Sequence, residues 1–279
     1  MDQPQIGEEQ KEMSFVDHLE ELRWHLIRAF GSIFVFAIIA FLAKGFVFHD
    51  IILAPSRPDF FSYRIMCDLG NWIGSEALCI EKLGFTIQSR QMSGQLSMHL
   101  LVAGVLGLAC AFPYAFWEIW RFVKPGLYPQ ERQSSRGAVF FVSVLFILGL
   151  LFGYYVVSPI SINFLAGYQV DPTIVNEFDL SSYISTLTTL CLSCALMFQM
   201  PVIVYFFTKA GIISPEIMKL YRKHAIIIIL VVAAIITPPD VVSQILISLP
   251  LFLLYEISIK VSRSIRNADL KKLNENSTI

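Results

Sequence analysis

Long runs of uncharged, apolar residues are the feature that most constrains what this chain can fold into. Residues 137–164 and 180–208 contain no charged side chain. A helix needs about 20 apolar residues to cross the hydrocarbon core of a bilayer, so these runs predict membrane-spanning helices. They are too long for barrel strands and show no alternation of apolar and polar residues. The sequence therefore predicts an all-α integral membrane protein.

We predict six spans, the last two of them short. Four come from residues 24–48, 96–117, 137–164 and 180–208, and two from the runs 225–239 and 241–255. The last two are separated at TPPD, residues 237–240, where prolines disfavour one continuous helix. Fifteen residues make about 22 Å of helix, less than the roughly 30 Å hydrocarbon core. A re-entrant hairpin that does not cross is the alternative.

Basic residues predict the orientation. Of the 21 lysines and arginines, 16 lie at the two termini and in the loops 121–136 and 209–223. Cytoplasmic loops are enriched in Lys and Arg, so both termini are expected in the cytoplasm. The N-terminus shows no features of a removable signal peptide. We predict one membrane domain over residues 1–265, with a long outer loop at about 44–95, and a polar cytoplasmic tail over 266–279.

An amphipathic helix is predicted before the first span, at about residues 14–24. In SFVDHLEELRWHLIR, Ser14 followed by Asp17 is typical of a helix start. Apolar residues then recur at helical spacing and predict one stripe: Phe15, Leu19, Leu22 and Leu26. A helix lying on the membrane surface would explain the stripe, but anionic headgroups would favour basic residues over the acids found here.

Five short motifs follow one another along the chain: HLEELRWHL (residues 18–26), FVKPGLYPQER (122–132), YYVVSPISINFL (154–165), FQMPVIV (198–204) and TPPDVVSQ (237–244). In this order they resemble the TatC family, the signal-receptor subunit of the twin-arginine protein translocase. The match extends over about residues 14–260. The resemblance implies a six-span protein of the bacterial inner membrane with both termini in the cytoplasm.

The function that the resemblance implies is protein export without catalysis. Such a protein binds the twin-arginine signal peptide of a folded precursor. It then recruits single-span partners of the TatA and TatB type, and it self-associates in the receptor complex. The proton-motive force drives transport, and no cofactor, metal or nucleic acid is expected. Consistent with this, the sequence contains no nucleotide-binding P-loop pattern.

The resemblance places the signal-peptide site on the first two cytoplasmic motifs. Glu21 and Glu131 are the acids expected to bind the arginine pair, because guanidinium and carboxylate groups can form bidentate pairs. The residues expected around them are Leu22, Arg23, Phe122, Pro125, Leu127, Tyr128 and Arg132. On residue chemistry alone, Glu131 could equally pair with a neighbouring base such as Arg132.

Four residues are candidates for polar contacts with partner helices: Gln199, Pro201, Asp240 and Gln244. Gln199 lies well inside the fourth span, at a position that is often glutamate in the family. Its amide could instead bind local backbone groups, and Asp240 could simply cap the next helix. Glu256 is expected to pair with Lys260 one turn later.

The cysteines support two different interpretations. Cys67 and Cys79 fall in the outer loop, an oxidising location in a bacterium, so we predict a disulfide between them. Cys191 and Cys194 form a CxxC within an uncharged span, where small residues one turn apart favour helix packing.

Two other classes of function remain open from the sequence. A small-solute secondary transporter would use broken helices such as those at Pro159 and Pro201, but repeat symmetry is missing. A membrane thiol oxidoreductase would use the cysteine pairs.

Overall fold

The computed structural model describes residues 15–74, 79, 84–124, 137–171, 173–236 and 241–277. In chain order the elements are α1 Phe15–Leu42, α2 Phe61–Ile73, β1 Phe85–Gln88, α3 Gly94–Val123, α4 Ala138–Phe152, α5 Ser158–Gly167, β2 Asn176–Asp179, α6 Leu180–Met197, α7 Met200–Lys209, α8 Pro215–Leu220, α9 Arg222–Ile236 and α10 Val241–Ser277. Short helical turns join α1 to α2, and a π-helical turn, Gly153–Val157, joins α4 to α5.

Within these residues, five helical segments are long and apolar enough to cross a membrane. They are Glu20–Leu42, Gly94–Val123, Ala138–Gly167, Leu180–Lys209 and Gln244–Ala268. The all-α membrane class is therefore confirmed. The predicted fifth span corresponds to α9, whose 15 residues are shorter than these segments. Helices α9 and α10 are separate, as the prolines predict, and α10 continues as a helix to Ser277. The sixth crossing stays a prediction.

Helices α1 and α3 pack against each other along their length. A glycine permits their closest approach: a Cβ atom added at Gly107 would lie 2.7 Å from the backbone nitrogen of Ala37 and 2.8 Å from the carbonyl oxygen of Ile33. Small residues let helices approach closely in a membrane, where dispersion contacts replace the hydrophobic effect as the driving force. The end of this pair at which α1 begins and α3 ends is called the basal end below, and the opposite end is the distal end.

The third and fourth spans also approach each other closely at glycines. A Cβ atom at Gly149 would lie 2.7 Å from the carbonyl oxygen of Cys194, and one at Gly153 would lie 2.8 Å from Cα of Cys191. Both spans are also interrupted near a proline. Pro159 follows the π-helical turn, where the Ser158 hydroxyl donates to the carbonyl oxygen of Gly153 at 2.7 Å. The same carbonyl oxygen also accepts the backbone N–H of Ser158, so the side chain adds a second hydrogen bond at the irregular turn.

The distal end carries the segments that join α1 to α3 and α5 to α6. In these segments β1 and β2 pair in parallel, with Phe85 opposite Asn176. The buried Tyr63 of α2 places its hydroxyl 2.9 Å from the carbonyl oxygen of Pro55 and 3.1 Å from that of Pro159. Tyr183 of α6 donates to the carbonyl oxygen of Ile52 at 2.8 Å. These bonds hold the segment between α1 and α3 against the neighbouring helices.

Candidate functional site at the basal end

A buried carboxylate lies at the basal end of the α1–α3 pair. Glu118, in the last turns of α3, is 1% exposed. His25 of α1, which is also buried, donates from Nδ1 to Glu118 Oε2 at 2.6 Å. Tyr114, one turn earlier on α3, donates from its hydroxyl to Glu118 Oε1 at 3.1 Å. Each carboxylate oxygen therefore has a hydrogen-bond donor, as a buried charge requires.

Two arginines place positive charge beside the same carboxylate. Arg28 of α1 lies 3.9 Å from Glu118 Oε2, and Arg121 of α3 lies 3.7 Å from Oε1. Both side chains are about half exposed, so solvent screens them more than it screens Glu118. The Arg121 guanidinium also lies over the ring of Trp117, 4.9 Å from its centroid. We call Glu21, His25, Arg28, Tyr114, Glu118 and Arg121 the basal cluster.

Glu21 is the outer member of the basal cluster. Its side chain is 42% exposed, and its Oε1 lies 4.0 Å from Nε2 of His25. Glu20, the neighbouring acid, is more exposed and instead faces Arg23 at 4.0 Å. The two adjacent acids thus have different surroundings, because successive residues of a helix point in different directions.

The predicted signal-peptide residues fall into three groups. Glu21 and Phe122 lie near His25, with the ring centroids of Phe122 and His25 6.4 Å apart, and Leu22 is the half-buried residue that follows Glu21 on α1. Arg23 is exposed beside Glu20. The remaining residues lie outside the described part of the chain: Pro125, Leu127, Tyr128, Glu131 and Arg132.

Sequence reasoning missed the buried pair of the cluster, His25 and Glu118, and also Tyr114, which is 41% exposed. A signal was available. Glu118 is an acid directly beside a long apolar run, between Trp117 and Trp120. An ionisable residue at such a position is expensive and needs a partner facing the bundle interior. The apolar stripe predicted on α1 does not identify the buried side of that helix, because Leu26 of the stripe is exposed while His25 is buried.

Three of the four predicted partner-contact residues are not members of the basal cluster, and the fourth lies outside the part of the chain that the structure describes. The Gln199 amide donates from Nε2 to the carbonyl oxygen of Ala195 at 3.3 Å, and its buried Oε1 has no hydrogen-bond partner among the described residues. Pro201 is buried at the start of α7. Gln244 donates to the carbonyl oxygen of Leu230 at 3.2 Å, tying α10 to α9. Asp240 lies outside the described residues.

The expected pairing of Glu256 with Lys260 was wrong. Glu256 instead pairs with Arg222, the first residue of α9, whose Nε lies 2.8 Å from Oε1 and whose Nη2 lies 3.0 Å from Oε2. Only the Nη2–Oε2 contact is a hydrogen bond, since Oε1 has no hydrogen-bond partner among the described residues, but this guanidinium pair links two helices and is more directional than an exposed contact to an ammonium group one turn away.

The two cysteine pairs differ in structure as they do in sequence. Cys67 and Cys79 are joined by a disulfide at the distal end. Cys191 and Cys194 are free and buried, and they contact the third span at Gly149 and Gly153. This packing role accounts for the CxxC without redox chemistry. Among the residues that the structure describes, no group of three or more His, Cys, Asp or Glu side chains could hold a metal ion.

These features define a multi-pass α-helical membrane protein with a polar, partly charged site at one end of its first helix pair. The family model described as "Sec-independent protein translocase protein (TatC)" matches residues 17–250. The chain belongs to the TatC family, and the resemblance stated from the five motifs is confirmed.

Relatives and solved structures agree over nearly the whole chain. The chain is 39% identical to the Sec-independent protein translocase protein TatC of Blattabacterium sp. subsp. Periplaneta americana, covering 91% of this chain and 96% of that protein. It is 30% identical to the protein translocase protein TatCy of Bacillus subtilis, over 91% and 90% of the two chains. A crystal structure of the twin-arginine translocase receptor TatC superposes with a TM-score of 0.66 at 30% identity, covering 88% of this chain and 98% of the other.

Proposed function

We propose that this chain is the signal-peptide receptor of a twin-arginine translocase and that its basal end binds the arginine pair of a folded precursor's signal peptide. The observation that carries the proposal is Glu21. It is a half-exposed carboxylate at the basal end, and its 4.0 Å contact with His25 leaves room for a guanidinium group to bind. Glu118 has both oxygens occupied by donors from the protein.

The proposed site combines Glu21 with Glu131, whose segment follows the end of α3 in the chain. Two carboxylates match two consecutive arginines, and bidentate pairing gives specificity for arginine over lysine. Leu22 and Phe122 are the apolar neighbours on the described side of this site. The resemblance adds Arg23, Pro125, Leu127, Tyr128 and Arg132.

We place the basal end in the cytoplasm and both termini with it, in the inner membrane of a bacterium. The described basic residues that the chain order assigns to the basal side support this orientation: Arg23, Arg28, Arg121, Lys124, Lys209, Arg222, Lys260 and Arg263. Such a bias toward one side is typical of cytoplasmic faces. The disulfide at the distal end supports an oxidising compartment on the other side.

Transport in this proposal requires partners rather than catalysis. Single-span proteins of the TatA and TatB type associate with the spans, further copies of the chain assemble beside it, and the proton-motive force supplies the energy. Gln199, Pro201, Asp240 and Gln244 are the proposed contact residues. The buried Oε1 of Gln199, which accepts no bond from the described residues, supports a polar contact with a partner helix, because an unmet amide oxygen is costly in an apolar medium.

The experiment that tests the proposal measures binding of a twin-arginine signal peptide to the purified protein in lipid nanodiscs, with a twin-lysine peptide for comparison. We expect Glu21→Gln to weaken binding about tenfold, the change that corresponds to 1.4 kcal/mol and to a typical charge-assisted hydrogen bond. Glu131→Lys should weaken binding at least as much.

Glu20→Gln is the matched control. It removes the same charge from the neighbouring residue, which faces Arg23 rather than His25, and it should leave affinity within about twofold of the parent. Equal losses for Glu20→Gln and Glu21→Gln would show that only the net charge of α1 matters, and the proposed site would then be wrong.

A further inference from the structure

His25 and Glu118, the buried pair of the basal cluster, have no role in the site proposed above, although a buried charged group between membrane helices is chemically unusual. A carboxylate buried beside lipid-facing helices is costly even when it is hydrogen-bonded. Glu118 is nevertheless held between the first two spans by His25 and Tyr114. An apolar side chain would join α1 to α3 without that desolvation cost. The arrangement of the donors indicates what the carboxylate contributes.

The imidazole of His25 lies between two carboxylates. Its Nδ1 is 2.6 Å from the buried Oε2 of Glu118, and its Nε2 is 4.0 Å from Oε1 of the half-exposed Glu21. A carboxylate accepts hydrogen bonds and does not donate them, so Nδ1 carries the hydrogen of the short bond. That bond fixes Nε2 as the nitrogen that faces Glu21, and Nε2 attracts a carboxylate only when it also carries a hydrogen, in the imidazolium form of the ring. The orientation of the ring next to Glu21 is thus set by a residue 93 positions away in the chain.

We infer that Glu118 is a positioning residue for signal-peptide binding, acting through His25 to hold the carboxylate of Glu21 in its binding orientation. This inference rests on the proposed function, because Glu21 is the arginine-binding group there. A carboxylate held in one orientation binds a ligand with less loss of conformational freedom than a mobile one. Glu118 itself does not touch the ligand.

The other charged groups around the pair are consistent with this assignment. Arg28 and Arg121 face Glu118 from 3.9 Å and 3.7 Å, and Tyr114 occupies Oε1, the oxygen that His25 does not use. Glu21 and His25 lie one helical turn apart on the same face of α1. Only His25 contacts both carboxylates among the described members of the basal cluster.

A purely structural role for Glu118 is the competing explanation, and coupling to Glu21 separates the two. If Glu118 only stabilises the packing of α1 on α3, its loss weakens peptide binding whether or not Glu21 is present. If it acts through Glu21, its loss has no further effect once Glu21 is neutral. Residues that act as one unit show such non-additivity, which a double-mutant cycle measures.

The experiment measures the affinity of a twin-arginine peptide for four full-length proteins in nanodiscs: the parent, Glu21→Gln, Glu118→Leu and the double variant. We expect Glu118→Leu to weaken binding about fivefold, less than the roughly tenfold loss of Glu21→Gln. The double variant should match Glu21→Gln. Glu118→Gln keeps an acceptor for His25 and should recover most of the affinity. Independent, multiplying losses in the double variant would overturn the inference.

A second readout does not depend on the peptide. Nitrogen NMR of histidine-labelled protein in bilayers reports the His25 ring, whose signals are identified by their loss in His25→Gln. We expect Glu21→Gln to shift the Nε2 signal in the parent but not in Glu118→Leu. An unshifted signal in the parent background would overturn the inference. If the shift occurs but the protein does not distinguish twin-arginine from twin-lysine peptides, the proposed function fails while the coupling of Glu118 to Glu21 stands. If Glu118→Leu does not fold, His25→Gln replaces it in the four-protein comparison, because it also removes the link between Glu118 and Glu21.

Discussion

Replacing Gly107 by alanine tests the packing of α1 on α3, on which the geometry of the basal cluster depends. The added methyl group would lie 2.7 Å from the backbone nitrogen of Ala37 and 2.8 Å from its Cβ and from the carbonyl oxygen of Ile33. Carbon contacts this short do not occur in relaxed structures, and the atoms involved belong mostly to the backbone. The two helices must therefore move apart by several tenths of an ångström.

The expected cost follows from overpacking. Added methylene groups in a well-packed interface cost about 1–3 kcal/mol. An alanine also favours a helix over a glycine by roughly 0.5–1 kcal/mol, which would mask part of the loss. Gly104→Ala is the matched control, because it lies one turn away on the same helix and a Cβ atom there meets no atom within 4 Å. The difference between the two variants removes the helix-propensity contribution.

The assay is reversible unfolding in mixed micelles, followed by tryptophan fluorescence. We expect Gly107→Ala to be less stable than Gly104→Ala by about 1–3 kcal/mol. We also expect Gly107→Ala to bind the twin-arginine peptide more weakly, since the separation of the helices displaces His25 from Glu118. Equal unfolding free energies, within about 0.5 kcal/mol, would refute the packing derived from the structure.

Three further predictions concern other parts of the molecule. After alkylation and cleavage between them, Cys67 and Cys79 should stay linked on a gel until reductant is added; equal mobility with and without reductant would exclude the bond. Hydrogen bonds from the Ser181 hydroxyl and a backbone N–H hold the pKa of Asp179 below its usual value, so this contribution to stability is lost as pH falls through that lowered pKa. The melting-temperature advantage of the parent over Asp179→Asn should therefore be present at pH 7 and shrink below about pH 4. Cys191→Ala should retain export activity in cells, because this cysteine packs against Gly153; complete loss of export in a stably folded variant would favour redox chemistry.

Much of the fold was predictable because span length depends on local composition. Apolar runs of sufficient length identify membrane helices without knowledge of their neighbours, and prolines identify where those helices break. The separate α9 and α10 on either side of residues 237–240, and the interruption before Pro201, illustrate both points. The small residues of the CxxC were also correctly interpreted as helix packing.

The candidate site was only partly predictable, because its buried pair, His25 and Glu118, depends on a contact between residues that are distant in the chain. Helical periodicity predicted an apolar stripe that includes Leu26, but it does not show whether such a stripe packs against protein or against lipid. In a membrane, a leucine side chain packs favourably against lipid tails, while a polar side chain faces other protein groups that can bind it. His25 therefore takes the buried position and Leu26 the exposed one. Its partner Glu118 could not be identified from spacing within one helix.

Glu256 illustrates the same limit. An acid and a base four residues apart predict a local ion pair, but tertiary packing brought Arg222 of α9 closer and in a better geometry. Local rules rank the pairs within one helix and contain no information about a neighbouring helix.

Site-specific photocrosslinking from position 22 tests the central claim most directly, because it leaves Glu21 in place. A photoreactive residue replaces Leu22 or, as a control, Trp72, which is 86% exposed at the distal end, and membranes are incubated with a labelled twin-arginine precursor. The account predicts a crosslink to the signal peptide from position 22 that an excess of twin-arginine peptide abolishes and twin-lysine peptide does not, with no crosslink from position 72. A crosslink from position 72, or one from position 22 that both peptides compete equally, would contradict it.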